Sequence, residues 1–136
     1  MPTRSQCPIS NVLDHVGDKW SLLIIRDLMF FNKHAYSDLQ NSDEKMATNI
    51  LSSRLEKLEG DGLISKRVDP NDKRKKVYRL TPAGVDMLPI LIEMIVWSSN
   101  HAPDLNIPTE LVAKARSDRA GLIQDLTSRL TAQLNT

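Results

Sequence analysis

Short polar side chains at helical spacing are the first feature of this sequence that suggests chemistry. They fall on one face of a helix predicted for about 47–59: Thr48, Asn49, Ser52 and Ser53, with Glu56 as the charged residue of that face. The opposite face has leucines at the spacing of a stripe that packs into a core: Leu51, Leu55 and Leu58. A solvated helix face usually carries lysine and glutamate, whereas hydroxyls and amides suit the base edges of the DNA major groove. We therefore interpret the four polar residues as candidate DNA contacts.

Arg54 belongs to the same predicted helix and has two interpretations. Its guanidinium either contacts DNA together with the four polar residues or braces the helix through an ion pair with an aspartate or a glutamate. The sequence leaves both interpretations open.

A cluster of basic residues follows this helix. Between Lys66 and Arg79 the chain has seven basic and two acidic residues, a local net charge of +5 in a chain whose net charge is +1. Four of the basic residues are consecutive: Lys73, Arg74, Lys75 and Lys76. A cation cluster confined to one segment indicates a localised anionic partner, for which nucleic acid is the first candidate and a membrane surface the weaker one.

Enzymatic, metal and cofactor chemistry find little support in the residue pattern. The only cysteine, Cys7, excludes a disulfide within one chain and a zinc site of several cysteines. His15, His34 and His101 lack the close spacing of metal ligands, and the chain has no glycine-rich phosphate loop and no GxSxG motif. We therefore expect no enzyme, no metal and no cofactor.

Length and composition indicate one folded core with an appendage. The chain has 136 residues, of which 40% are hydrophobic and 26% charged, values typical of globular proteins. The longest apolar stretch, 22–31, is interrupted by Arg26 and Asp27, so no membrane span is expected. The first residues lack the apolar region of a signal peptide, which predicts a cytoplasmic location.

The predicted elements place the two polar features on a recognisable scaffold. Helices are expected at 8–16, from an Asp18 cap to 31, at 36–40 and at 47–59; strands at 63–69 and 75–80 around a turn at 70–72; a helix from a Thr81 cap to about 99, bent at Pro89; a weaker helix at 109–115; and a last helix capped by Ser117. The fold class is therefore mainly α with a small β-hairpin wing. A short helix, a turn, a longer helix and a basic hairpin make a winged helix-turn-helix, in which the longer helix enters the major groove and the wing reaches phosphates or the minor groove.

Several short motifs resemble a known family. They are Cys7-Pro8-Ile9, Val16-Gly17-Asp18-Lys19-Trp20-Ser21, Leu51-Ser52-Ser53-Arg54-Leu55, Asp61-Gly62-Leu63, Leu80-Thr81-Pro82-Ala83-Gly84 and Trp97. Together they resemble the HxlR-type winged-helix transcriptional regulators, and the wing sequence from Asp69 to Arg74 is more similar to the MarR family. Ala47 stands where the family usually has a capping residue such as serine, and Lys76 where it tends to have valine. The missing cap is expected to weaken the helix by about 1 kcal/mol.

The resemblance implies bacterial origin, a homodimer and binding to a pseudo-palindromic operator in double-stranded DNA. It also implies that Cys7 senses oxidants or electrophiles, although a buried, inert cysteine remains the alternative; a small-ligand effector is also open.

We expect a DNA-binding domain at 1–99 and a helical extension at 100–136. The first and last helices and this extension are expected to form the dimer interface, because the leucines of the last helix have no other obvious partner. Trp20 and Trp97 are expected in a core or an interface rather than in a ligand pocket.

A second class of function fits the same elements. The basic hairpin of a winged helix is also suited to an acidic protein partner, which makes the chain an interaction module. The uncharged face at 48–53 favours DNA, because a protein interface usually has a buried aromatic anchor.

Overall fold

The computed structural model describes residues 4–134, which form helices and a two-stranded antiparallel hairpin. The elements in chain order are α1 (Pro8–Val16), α2 (Ser21–Phe30), α3 (Tyr36–Gln40), α4 (Thr48–Gly60), β1 (Ile64–Asp69), β2 (Asp72–Leu80), α5 (Pro82–Val85), α6 (Leu88–His101), α7 (Thr109–Ser117) and α8 (Arg119–Leu134). The expected class, mainly α with a hairpin wing, is confirmed.

Two compact units divide the chain between Gly84 and Val85. The first unit contains the helix-turn-helix and the hairpin, and the second contains α6, α7 and α8. The sequence had placed a boundary after residue 99, which lies inside α6.

The core of the first unit is built around α2, as its apolar character predicted. Ile24, Ile25 and Leu28 are buried, and α2 packs against both α4 and β2. The carboxylate of Asp18 accepts hydrogen bonds of 3.0 Å from the backbone N–H groups of Trp20 and Ser21, which closes the start of α2.

The hairpin is longer than predicted. β2 begins at Asp72 rather than at Lys75, and the register pairs Ile64 with Leu80 at the base and Asp69 with Asp72 at the tip. Residues 73 and 74, expected in a loop, are therefore part of β2. Tyr78 donates its backbone N–H to the carbonyl oxygen of His34, 2.8 Å away, so the segment before α3 fastens the hairpin to the helix-turn-helix.

The predicted bent helix from Thr81 to about 99 is wrong in its continuity. The chain instead forms α5 and α6, separated by a turn at 86–87. Pro89 lies in the first turn of α6, where the absence of an N–H group is tolerated, so it helps to start a second helix rather than bend a single one. The predicted Thr81 cap is confirmed, since its hydroxyl accepts the N–H of Gly84 at 3.2 Å.

The second unit buries much of the leucine stripe within one chain. Leu122 and Leu130 of α8 are buried together with Val112 and Ala115 of α7, and α8 packs against α7 and α6. The expectation that this stripe lacks a partner within the chain was therefore wrong. The predicted cap of α8 was also wrong by one residue: Ser117 ends α7, and the carboxylate of Asp118 accepts the N–H of Gly121 at 3.0 Å.

One stretch in the described part of the chain is long and apolar enough to cross a membrane by length and composition alone: Pro82–His101. The expectation of no membrane span rested on residues 22–31 and did not cover this stretch. The turn between α5 and α6 divides this stretch, and Leu88, Ile92 and Val96 are buried in the folded chain. Core helices of soluble proteins have the same composition, so the stretch is weak evidence for a membrane span.

Candidate nucleic-acid interface

The helix α4 is amphipathic in the way the sequence predicted. Its leucine stripe is buried: Leu51, Leu55 and Leu58. Its four polar candidates are all exposed: Thr48, Asn49, Ser52 and Ser53. Burial of one face fixes the rotation of the helix about its own axis, so these short side chains are held towards solvent as a set. We call this set the polar face of α4.

The start of α4 lacks a side-chain cap. Ala47 occupies the N-cap position with an extended backbone (φ −61°, ψ 147°) and a methyl group that accepts no hydrogen bond. Backbone N–H groups of the first turn are consequently left for solvent or for a ligand oxygen. The expected departure from the usual capping residue is therefore present in the structure.

Arg54 makes the ion pair that the sequence left open as its alternative role. Its Nε donates to Oδ2 of Asp18 at 2.9 Å, and both side chains are partly buried. Burial by itself raises the pKa of Asp18, but hydrogen bonds from Ser21 and the backbone of Trp20, together with the Arg54 charge, hold the pKa below its ordinary value. Asp18 thus closes the start of α2 and braces α4 at once.

The far end of α4 is tied to α1 by a second charged cluster. Lys57 donates to Asp61 at 2.7 Å and to the backbone carbonyl of Asp14 at 2.8 Å. The Nδ1 atom of His15 lies 2.9 Å from Oδ2 of Asp61, the same oxygen that accepts from Lys57. Carbonyl groups at the end of α1 are thereby paired with a cation, which suits the negative end of the helix dipole.

The turn between α3 and α4 contains a contact that sequence reasoning missed. Arg26 of α2 donates through Nη1 and Nη2 to the two carboxylate oxygens of Glu44, both at 2.8 Å. Hydrogen bonds from Arg26 lower the pKa of Glu44 to about 2. Arg26 also contacts the buried carboxylate of Asp27, whose pKa is raised by burial despite this partner. A bidentate pair of this kind fixes the turn that leads into α4.

Tyr36 is a second residue that sequence reasoning missed. Its hydroxyl lies 2.9 Å from the Ser52 hydroxyl and 3.2 Å from the carbonyl oxygen of Thr48. The first helix of the motif therefore contacts the polar face of α4 directly. The only sequence signal was a tyrosine opening a short helix, which by itself indicates nothing about its partners.

The hairpin presents its basic residues to solvent. All four candidates are exposed on β2: Lys73, Arg74, Lys75 and Lys76. The side chain of Arg74 is 95% exposed and lies 3.8 Å from Asp72, at the limit of an ion pair. Asp69 accepts the backbone N–H of Asn71 at 2.8 Å, which shapes the tip. The hairpin can therefore offer several cations to an anionic surface, and the side chain of Arg74 is almost fully exposed near its tip.

Cys7 is exposed and caps the N-terminal end of α1 through its backbone. Arg4, the nearest cation in sequence, pairs with Asp14 and lies 3.3 Å from the Ser10 hydroxyl. The thiol is thus open to solvent, which contradicts the alternative of a buried cysteine. Within residues 4–134, no group of three histidine, cysteine, aspartate or glutamate side chains is arranged to hold a metal ion.

Trp97 does not lie in a core. It is 63% exposed on α6, where it stacks at 4.6 Å on His101 and lines a shallow apolar groove with Ile90 and Met94. On α1, Ile9 and Leu13 are likewise 72% and 53% exposed. Each unit therefore carries apolar side chains on a helix surface.

Comparison with known proteins gives a consistent result. Residues 15–106 match the model of a family described as HxlR-like helix-turn-helix. The HTH-type transcriptional regulator sll1512 of Synechocystis is 35% identical over 88 residues, which cover 65% of this chain and 64% of that protein. The solved structure of PA1607 has a TM-score of 0.67 at 33% identity and covers 74% of this chain and 70% of that one.

A further solved structure, the redox regulator HypR in its oxidised form, has a TM-score of 0.59 at 28% identity, with 70% of this chain and 97% of that one covered. The family match at 15–106 includes the whole of α4, both strands and every motif of the sequence resemblance except Cys7-Pro8-Ile9, which precedes it. The winged helix-turn-helix and the family match agree, and the chain belongs to the HxlR-like helix-turn-helix family of transcriptional regulators.

Proposed function

We propose that this regulator acts as a cytoplasmic homodimer that reads a pseudo-palindromic operator in double-stranded DNA. The polar face of α4 contacts base edges in the major groove, and the hairpin residues from Lys73 to Lys76 contact phosphates or the adjacent minor groove. Arg54 supports α4 through Asp18 and makes no base contact of its own.

One observation carries this proposal. The polar face of α4 has no charged side chain and is rich in hydrogen-bonding groups, with Glu56 the charged exposed residue that follows it, while the exposed hairpin of the same unit is strongly basic. The first surface suits base readout, which needs directed donors and acceptors, and the second suits the phosphate backbone, which attracts cations without regard to sequence. An acidic protein partner would bind the hairpin, but its binding would not explain the polar face of α4.

The dimer is supported by exposed apolar side chains on α1 and α6 rather than by the leucines of α8. Ile9 and Leu13 on α1, and Met94 and Trp97 on α6, lie on separate units and are all exposed in the single chain. A second copy of the chain can cover these residues, because a two-fold interface buries the same apolar side chains of both copies at once. Two recognition helices then meet two half-sites, which a single winged helix cannot do.

Regulation by Cys7 completes the proposal. The thiol is exposed at the start of α1, and the structurally similar protein HypR is named a redox regulator. Since the chain has one cysteine, oxidation leads either to a sulfenic acid or to a disulfide with a second copy or a small thiol. The far end of α1 is bound to α4 by Lys57 and Asp61, so a shift of α1 alters the support of the recognition helix.

Binding to the chain's own upstream intergenic DNA, compared with scrambled DNA at two salt concentrations, tests the proposal. Replacing Asn49 by alanine is expected to cost about 1–3 kcal/mol on the specific fragment only. Replacing Arg74 by alanine is expected to weaken binding to both DNAs and to reduce the salt slope by roughly one charge.

Controls separate the parts of this proposal. Ala113→Ser, on the exposed side of α7, is expected to leave both affinities unchanged. An effect of mild oxidant on DNA binding is expected to disappear in Cys7→Ser. Equal, weak binding of the unaltered protein to both DNAs would contradict base readout and would favour an acidic protein partner for the hairpin.

A further inference from the structure

The hydroxyl of Tyr36 joins the two helices of the helix-turn-helix at one of the candidate base contacts. Tyr36 is the first residue of α3, whereas Thr48 and Ser52 lie one turn apart on α4. The tyrosine oxygen is 3.2 Å from the carbonyl oxygen of Thr48 and 2.9 Å from the oxygen of Ser52. A residue outside the recognition helix therefore determines how the Ser52 hydroxyl is oriented.

Counting hydrogens fixes the direction of both contacts. A phenol has one hydrogen to donate, and a carbonyl oxygen only accepts. The contact with Thr48 consequently uses the hydrogen of Tyr36. With that hydrogen directed at Thr48, the shorter contact is satisfied when Ser52 donates its own hydrogen to the tyrosine oxygen. With its hydrogen used inside the protein, Ser52 has only lone pairs left for a ligand.

We propose that Tyr36 is a specificity-determining residue, because it makes Ser52 an acceptor towards DNA. This inference rests on the proposed function of α4 as the recognition helix. In the major groove the amino groups of cytosine and adenine donate hydrogen bonds, whereas the edges of guanine and the carbonyl of thymine accept them. Ser52 therefore selects cytosine or adenine at the position that it faces and disfavours guanine and thymine.

Tyr36→Phe tests the proposal, because it removes one oxygen and keeps the ring. The variant frees the Ser52 hydrogen, so the serine can then donate as well as accept. Preferred sites are selected from a pool of randomised duplex DNA with the unaltered protein and with the variant. Affinities are then measured for the selected site, for its single-base substitutions and for random duplexes.

The unaltered protein is expected to prefer cytosine or adenine at one position of each half-site. In Tyr36→Phe this preference is expected to fall by about 2- to 10-fold, the effect of one hydrogen bond. Preferences at other positions and affinity for random DNA stay the same. Ser52→Ala is expected to remove the same preference, and Tyr36→Phe is expected to add nothing further in that background.

Ser53→Ala is the matched control, since Ser53 lies beside Ser52 on the same face and is exposed. Its effect is expected to add to that of Tyr36→Phe. Melting temperatures of all variants show whether a loss comes from unfolding, which lowers affinity for every duplex alike and leaves the base preference intact. A uniform loss, or additive effects of Tyr36→Phe and Ser52→Ala, overturns the inference. If selection with the unaltered protein enriches no sequence, the proposed function fails as well, whereas a base preference unchanged in Tyr36→Phe refutes only the role of Tyr36.

Discussion

Replacing Glu44 by glutamine tests how strongly the turn before the recognition helix is held. The substitution keeps the size of the side chain and removes the charge that receives two hydrogen bonds from Arg26. Lowering the pKa of Glu44 from 4.5 to about 2 corresponds to roughly 3 kcal/mol of stabilisation. Since 35% of the Glu44 side chain is exposed, screening by water reduces this to about 1–2 kcal/mol.

The sign of the pH dependence follows from the direction of the shift. A carboxyl group whose pKa is lower in the folded state stabilises that state above its unfolded pKa and loses this effect as the pH falls towards the folded value. The free energy of unfolding of Glu44→Gln is therefore expected to lie about 1–2 kcal/mol below that of the unaltered protein at pH 7. More than half of this difference is expected to be lost by about pH 3.

Urea denaturation at a series of pH values measures this difference. Asp18 and Asp61, whose pKa values are also lowered, are present in both proteins and cancel in the comparison. Asp43→Asn, in the same turn and exposed, is the matched control and is expected to change stability little. A Glu44→Gln deficit of the same size at pH 7 and pH 3 would refute the reasoning, because the loss would then come from packing and not from charge.

Three further substitutions probe α4 and the proposed dimer. Ala47→Ser is expected to supply the missing cap of α4 and to raise the free energy of unfolding, measured by urea denaturation, by about 0.5–1 kcal/mol. Ala113→Ser on α7 supplies no cap and is the control. Equal changes in stability for the two variants would rule out capping as the cause. Asp18→Asn keeps an oxygen for capping α2 but loses the ion pair with α4, and is expected to cost about 0.5–1 kcal/mol near neutral pH; an unchanged stability would show that the pair contributes nothing. Trp97→Asp is expected to shift sedimentation velocity towards the monomer, whereas Thr131→Asp on the exposed side of α8 leaves it unchanged; a dimer that persists with Trp97→Asp would remove α6 from the interface.

Local patterns were sufficient where the signal lies within a few residues. The bounds of α1 and α3 agree with the predicted bounds, and the buried stripe of α4 follows from leucines three and four residues apart. The Thr81 cap is equally local, because the hydroxyl and the N–H that it binds are three residues apart. Helical periodicity and capping depend on neighbouring positions, so a single sequence is enough to read them.

Competing local signals caused the errors in the second unit. Pro89 was compatible with a bend in one helix and with the start of a new helix, and in the structure it lies in the first turn of a new helix, α6. Ser117 and Asp118 are both good capping residues, and the carboxylate of Asp118 is the one that binds the first turn of α8. The spacing of the leucines in α8 predicted an apolar stripe correctly but did not indicate what covers it. In the structure, α8 packs against α7 and α6 of the same chain.

The sequence by itself determined the order of the elements from α1 to β2, the polar face of α4 and the basic hairpin, because these follow from the types and spacing of adjacent residues. Only the tertiary structure decided the partners of the side chains that hold α4. Arg54 meets Asp18, Arg26 meets Glu44 and Tyr36 meets Ser52 across separations that no local pattern encodes. The physical reason is that burial of the leucine stripe sets the rotation of α4, and that rotation selects which polar groups come within hydrogen-bonding distance.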